Sequence, residues 1–132
     1  MASNVPGDLK YSREHEWVRQ SDAVVVVGLT DFAQRELGEI VFVELPKVGA
    51  RFEVGEPFGT VESVKAVSEV YAPVTGQVIE VNEELNDEPE VINTEPYGDG
   101  WLIKIRMADA KQTTSLLTAA EYTAYIQEET DG

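Results

Sequence analysis

Cysteine is missing altogether from the 132 residues. That removes disulfides, thiolate metal sites and protein-thiol chemistry together, so any sulfur chemistry has to arrive with a cofactor. Histidine occurs once, at His15. There is no phosphate-cradling glycine loop of the P-loop kind and no Gly-x-Gly-x-x-Gly after a strand, so catalysis by the polypeptide itself is not expected. Basic residues are scarce: ten Lys plus Arg against 25 Asp plus Glu leave a net charge of −15. A phosphate backbone or an anionic bilayer would repel that charge, which excludes nucleic acid and membrane as partners. Long apolar runs are lacking as well. The most apolar stretch, Ala23 to Val27, is one strand long against the ~20 residues of a spanning helix. Residues 1–8 show neither the apolar core of a secretory signal nor the Arg-rich, acid-poor pattern of a transit peptide, so a cytoplasmic protein is expected.

What is present suffices for one domain. The chain is 42% hydrophobic, and a domain of this size buries roughly two thirds of its unfolded surface. Lys10 to Arg19 and Ala23 to Val27 read as an opening β-hairpin around the polar turn Gln20-Ser21-Asp22. Thr30 and Asp31 can cap the short amphipathic stretch Phe32 to Leu37, with Gln34 placed as in a capping box and Gly38 as the stop. Ile40 to Leu45 is β-branched and aromatic, and short strand signals recur at Arg51 to Val54, Phe58 to Ser63, Val67 to Tyr71 and Gly76 to Val81. Punctuation by Gly49, Gly55, Pro57, Pro73 and Gly76 argues for a sandwich or barrel.

The acidic stretch Glu83 to Glu90 reads as a solvated loop or frayed helix; it lacks the alternating ligands and central glycine of a calcium loop, and no metal site is expected. Gly100 to Arg106 reads as a last strand. Thr118-Ala-Ala-Glu121 is a second capping box, followed by Tyr122, Tyr125 and Ile126 at helical spacing. His15 between Glu14 and Glu16 is either an acid/base cluster or a structural or solvent-facing histidine.

The segment Phe58 to Pro73 is the most informative. Lys65 sits midway between two β-like runs, and a lysine on a hairpin tip projects its amine where a modifying enzyme can reach it. That geometry suits a covalent group carrier, and it equally suits a turn lysine that guards a sheet edge.

Glu62-Ser-Val-Lys65-Ala66, with Ser68 and Ala72-Pro-Val-Thr-Gly-Gln-Val-Ile-Glu-Val-Asn82, resembles the lipoyl-lysine segment of the H-protein family of the glycine cleavage system. The resemblance runs in order through Glu14-His-Glu-Trp17, Gly28 to Asp31, Leu37 to Pro46, Gly55 to Gly59, Pro96-Tyr97 and Gly100 to Ile105. Biotin carriers share the fold but normally flank their lysine with methionines; the flanks here are Val64 and Ala66.

The resemblance implies a mainly β fold: a lipoyl/biotinyl-type barrel-sandwich hybrid of short strands, with a short internal helix and a C-terminal helix. It sets residues 1–8 as an N-terminal extension, 9–128 as a single lipoyl-carrier domain and 129–132 as a flexible tail. It implies lipoate in amide linkage to Lys65, with Glu62, Ser63, Val64 and Ala66 as the recognition hairpin. The role it implies is a carrier, not an enzyme. The arm takes an aminomethyl group from glycine decarboxylase as carbon dioxide leaves and delivers it to aminomethyltransferase, where tetrahydrofolate accepts the one-carbon unit and ammonia is released. Dihydrolipoyl dehydrogenase then reoxidises the dithiol. A lipoate ligase or lipoyl transferase is the remaining partner, and a monomer is expected. An alternative is a lipoyl donor that relays lipoate to other enzymes. Lysine plus acyl chain reach on the order of 14 Å. The cargo amine is protonated near neutral pH, so a cleft with carboxylates would hold it. The candidates for that pocket are Glu16, Glu14 and Glu69, with Trp17 as an apolar wall; the alternative for each carboxylate is a solvated surface charge.

Overall fold

Short runs of β-branched residues between turns decide the architecture. The computed structural model describes residues 3–131; residues 1, 2 and 132, which belong to the expected extension and tail, lie outside the described residues. The strands are β1 (Lys10–Tyr11), β2 (Glu16–Ser21), β3 (Val24–Leu29), β4 (Ile40–Glu44), β5 (Arg51–Phe52), β6 (Pro57–Ser63), β7 (Val67–Tyr71), β8 (Gly76–Val81) and β9 (Ile103–Met107). They form an antiparallel six-stranded sheet in the order β1-β2-β3-β9-β8-β5 and an antiparallel three-stranded sheet in the order β4-β6-β7. Helices α1 (Asp31–Leu37), α2 (Val91–Thr94) and α3 (Ala119–Asp131) complete the fold. The mainly β sandwich expected from the sequence, with its internal and C-terminal helices, is the fold observed. Among the described residues no helix is long and apolar enough to cross a membrane.

Alternation along the strands makes the core. Val25 and Val27 are fully buried opposite Ile105 and Ile103, and Val43, Val61 and Val70 of the smaller sheet join the same cluster. Fully burying a side chain of this size contributes about 1.5–3 kcal/mol. A second cluster, Tyr11, Trp17, Phe32, Tyr122 and Ile126, lies between the larger sheet and α3. Trp17 faces Gly28 across the β2–β3 ladder, and a Cβ on Gly28 would lie 2.6 Å from the indole. Glycine is required there by the ring.

The caps form as the sequence suggests. Thr30 Oγ1 accepts from the Ala33 N–H, and Gly38 ends α1 at φ +84°, a conformation that favours glycine. Thr118 and Glu121 exchange side-chain and backbone hydrogen bonds at the start of α3.

Several boundaries differ. Lys10 to Arg19 is two strands, because a turn at Ser12–Glu16 carries His15 at φ +71°. The hairpin reverses at Asp22-Ala23, with Asp22 at φ +57°, after a ladder that reaches Ser21 opposite Val24. The acidic stretch folds into a 3-10 turn over Glu83–Asn86, because Leu85 is drawn fully into the core while the carboxylates stay outside. The last strand starts at Ile103, not Gly100. Helix α3 runs past residue 128 to Asp131, so the start of the expected tail is helical. On the other side, Asn4 of the expected extension is bonded to Asp31 and Tyr97.

Candidate functional site

Lys65 sits at the tip of the β6–β7 hairpin and is exposed. The tip is fixed from below. Ser63 Oγ accepts from the N–H groups of Lys65 (3.2 Å) and Ala66 (3.1 Å), and the Ser63 N–H donates to the Ala66 carbonyl at 2.8 Å. The Val64 N–H donates to the Glu39 carbonyl at 3.1 Å, which ties the tip to the corner between α1 and β4. Asn93 of α2 holds that corner: its amide donates to the Gly38 carbonyl and Gln34, and its oxygen accepts from the Ile40 N–H. Of the recognition residues, Glu62, Val64 and Ala66 are exposed, whereas Ser63 is buried because its hydroxyl serves the turn. The Lys65 stem passes the bare backbone of Gly38, where a Cβ would stand 3.7 Å from Lys65 Cε.

Leu37, which precedes Gly38, and Ser68, which follows the tip, both line a cavity of about 210 Å³. Its apolar wall comes from Leu29, Phe32, Leu37 and Val61. Glu14, Glu36, Glu69 and Glu129 supply carboxylates, one each from the turn before β2, α1, β7 and α3. That volume exceeds what a single water needs many times over, which leaves room for a small head group.

His15 forms the inner wall on the α3 side. Its Nδ1 lies 2.9 Å from the Tyr122 hydroxyl and its Nε2 3.1 Å from the Glu129 carboxylate. The Tyr122 hydroxyl lies 2.7 Å from Thr30 Oγ1. Burial holds the imidazole below its ordinary pKa, against the pull of Glu129 in the other direction. The neutral ring then accepts at Nδ1 from Tyr122 and donates from Nε2 to Glu129. These partners over-determine a residue whose left-handed backbone is costly by roughly 1–3 kcal/mol.

The structure brings Glu14 and Glu69 to the cavity and leaves Glu16 and Trp17 out of its wall. Two residues beyond Glu14 the chain has entered β2, so Glu16 points inward and is 1% exposed. Its carboxylate accepts from Ser12 Oγ at 2.6 Å and from the Tyr71 N–H at 3.0 Å, bridging the two sheets. Burial pushes its pKa up to about 7, against the lowering effect of those hydrogen bonds. Trp17 is fully buried over Gly28 and donates to the Pro96 carbonyl at 2.8 Å. The apolar wall expected from Trp17 is supplied by Phe32 instead.

Sequence reasoning missed Glu36, Glu129, Phe32 and Asn93. Phe32, Ala33, Glu36 and Leu37 share one face of α1 by helical spacing, a signal visible in the sequence. Nothing local pointed to Glu129 or Asn93.

The chain is similar to known proteins over almost its whole length. The family profile described as "Glycine cleavage H-protein" matches residues 9–129. The chain belongs to the glycine cleavage H-protein family. It is 60% identical over 127 residues to the "Glycine cleavage system H protein" of Herpetosiphon aurantiacus, covering 96% of this chain and 97% of that one. It is 55% identical over 127 residues to that of Myxococcus xanthus, covering 96% and 98%. The crystal structure of a glycine cleavage system H protein from Mycobacterium marinum superposes with a TM-score of 0.86 at 42% identity, over 93% of this chain and 99% of that one. H proteins are lipoyl carriers of the glycine cleavage system, not its catalysts, and this chain is one by family.

Proposed function

We propose that Lys65 is the lipoyl attachment site and that the cavity beside it receives the end of the arm, so that the chain shuttles the aminomethyl group of glycine. The observation that carries this reading is an exposed lysine on a hydrogen-bonded tip, its stem passing Gly38, whose neighbour Leu37 lines a cavity walled by apolar side chains and carboxylates. A lipoyl group fits that arrangement: its alkyl and ring carbons match the apolar wall, and a protonated amine at its end matches the acidic one. When bound, the group supplies the disulfide that takes up the one-carbon unit and the dithiol that is later reoxidised.

The chain's own residues present, shelter and release. Ser63 and Glu39 keep the tip from swinging, so motion is confined to the side chain. Leu29, Phe32, Leu37 and Val61 exclude water from whatever enters. Glu14 and Glu69 hold the cargo's ammonium, and neutral His15 keeps Glu129 on the α3 wall. The proposed partners are glycine decarboxylase, aminomethyltransferase, dihydrolipoyl dehydrogenase and a lipoate ligase or lipoyl transferase. The proposed setting is a monomer in the cytoplasm, steered by the −15 charge toward basic collars around those active sites.

The test is intact-mass measurement of wild type and Lys65→Arg after incubation with lipoate, ATP and a lipoate ligase. Arginine keeps the charge and cannot form the amide. The expected result is one lipoyl addition on wild type and none on the variant; equal labelling of both would refute the site.

A further inference from the structure

The outer face of the three-stranded sheet carries apolar side chains that the core does not use. Val41 and Phe42 on β4, Val64 at the tip and Val67 on β7 are 43%, 55%, 69% and 67% exposed. The ladder puts Phe42, Glu62 and Val67 in one cross-strand row beside the tip, and Glu44, Thr60 and Glu69 in the next. A bulge creates the β4 part of the patch. Ile40 opposes Ser63 and Phe42 opposes Glu62, so Val41 is an extra residue and both it and Phe42 turn outward. Strict alternation would have buried Phe42. Glu44 and Glu62 are exposed on or beside the same patch, Glu69 on the edge strand β7 borders both the patch and the cavity, and none of the three joins an ion pair among the described residues.

We infer that this face is where the enzyme that acylates Lys65 docks, and that this partner offers an apolar groove bordered by Lys and Arg. The inference rests on the reading of Lys65 as the modified residue. Reach selects the occupant. A bare lysine side chain extends about 6 Å, whereas the finished arm extends on the order of 14 Å. Enzymes that receive the arm can bind at a distance from the tip. The acylating enzyme has to bring a carbonyl carbon to Nζ itself, so it must cover the residues beside Lys65, and these are Val64, Phe42 and Val67. The step forms one amide bond from Lys65 Nζ to the lipoyl carboxyl carbon. It breaks the bond from that carbon to its activating group, an adenylate or a thiol, which leaves with the electron pair. The lysine ammonium gives up two protons, and nothing is oxidised or reduced. Unpaired glutamates among the apolar groups favour a basic border on the partner, where each charge changes encounter rate more than affinity.

The experiment follows lipoylation by mass and measures ligase binding to the unmodified protein by calorimetry, for wild type, Phe42→Ser, Val67→Thr, Val54→Ser and Lys65→Arg. Val54 is an exposed valine in the turn before β6, at the end of that strand away from the tip. Phe42→Ser is expected to lower kcat/KM for lipoylation and to weaken Kd about tenfold each, as for a central interface aromatic. Val67→Thr is expected to cost about threefold, and Val54→Ser nothing, with melting temperatures unchanged for all of them. Wild-type rates for Phe42→Ser and Val67→Thr, with Lys65→Arg inert, overturn the inference and leave the reading of Lys65 standing. Labelling of Lys65→Arg at the wild-type rate overturns the reading itself. Normal lipoylation of Phe42→Ser with slowed aminomethyl transfer, or a wild-type dimer that Phe42→Ser dissociates, assigns the patch to another occupant and also overturns the inference.

Discussion

The hairpin tip and the aromatic cluster under α3 stand on either side of one cavity and are built on opposite terms. At the tip, hydrogen bonds to the backbone carry the order: the Ser63 hydroxyl and the Glu39 carbonyl satisfy the turn while Val64, Lys65 and Ala66 are left to solvent. In the cluster, side chains carry it. Tyr11 and Tyr122 stack at 4.6 Å, and the Tyr122 hydroxyl joins Thr30 to His15. A carrier needs both kinds of order. A surface to be gripped by enzymes keeps its side chains free, whereas a wall that receives a reactive cargo keeps its side chains fixed and dry.

The comparison breaks most severely at Tyr122. Tyr122→Ala removes a fully buried ring and should destabilise the protein by about 3–5 kcal/mol, read as a fall in denaturant midpoint, while lipoylation of the folded fraction at Lys65 proceeds at the wild-type rate. Loss of lipoylation in step with stability would mean that the tip depends on the cluster.

A smaller effect separates Glu16 from the carboxylates of the cavity. Its pKa is raised from 4.5 to about 7 by burial, so the folded state holds the proton more tightly than the unfolded state. Its stabilising contribution is full below pH ~4.5 and is lost as pH rises through ~7. Glu16→Gln should flatten the stability profile across that window, by on the order of 2–3 kcal/mol, in urea titrations at pH 5 and pH 8. Parallel profiles for the two proteins would show that Glu16 is not the group responsible.

The smallest effect sharpens the role of the acidic wall. Glu14→Gln and Glu69→Gln leave the fold intact, and each should speed spontaneous release of formaldehyde and ammonia from the loaded protein several-fold, if a docked ammonium–carboxylate pair is worth about 1 kcal/mol. Unchanged release in both would place the cargo outside this cavity.

What was legible in the sequence was local. Thr30 and Gly38 bound α1 because caps act within a turn, and β7 and β8 were readable end to end because turn residues flank them on both sides. The place of Lys65 at a hairpin tip was legible because its neighbours in sequence are also its neighbours on the hairpin. The cavity was not, since residues 14, 36, 69 and 129 meet only through the sheet order and the return of α3. Glu14 and Glu16 show the limit most sharply. They share a motif, and the start of a strand between them sends one to the cavity and the other between the sheets. The Val41 bulge was equally hidden, because Ile40 to Leu45 reads as an unbroken strand.

That bulge has a second consequence. The three-stranded sheet ends in β4 and β7, and an open strand edge beside exposed valines and a phenylalanine is a template on which another copy could add a strand. A bulged edge is bent and a poor template, and Asn93 already occupies the Ile40 N–H. The glutamates on the outer face add like-charge repulsion, which salt weakens as the screening length falls from about 10 Å at 0.1 M to about 3 Å at 1 M. Protection of the β4 edge from fibre-like association at high salt therefore rests not on charge but on one inserted residue and one asparagine.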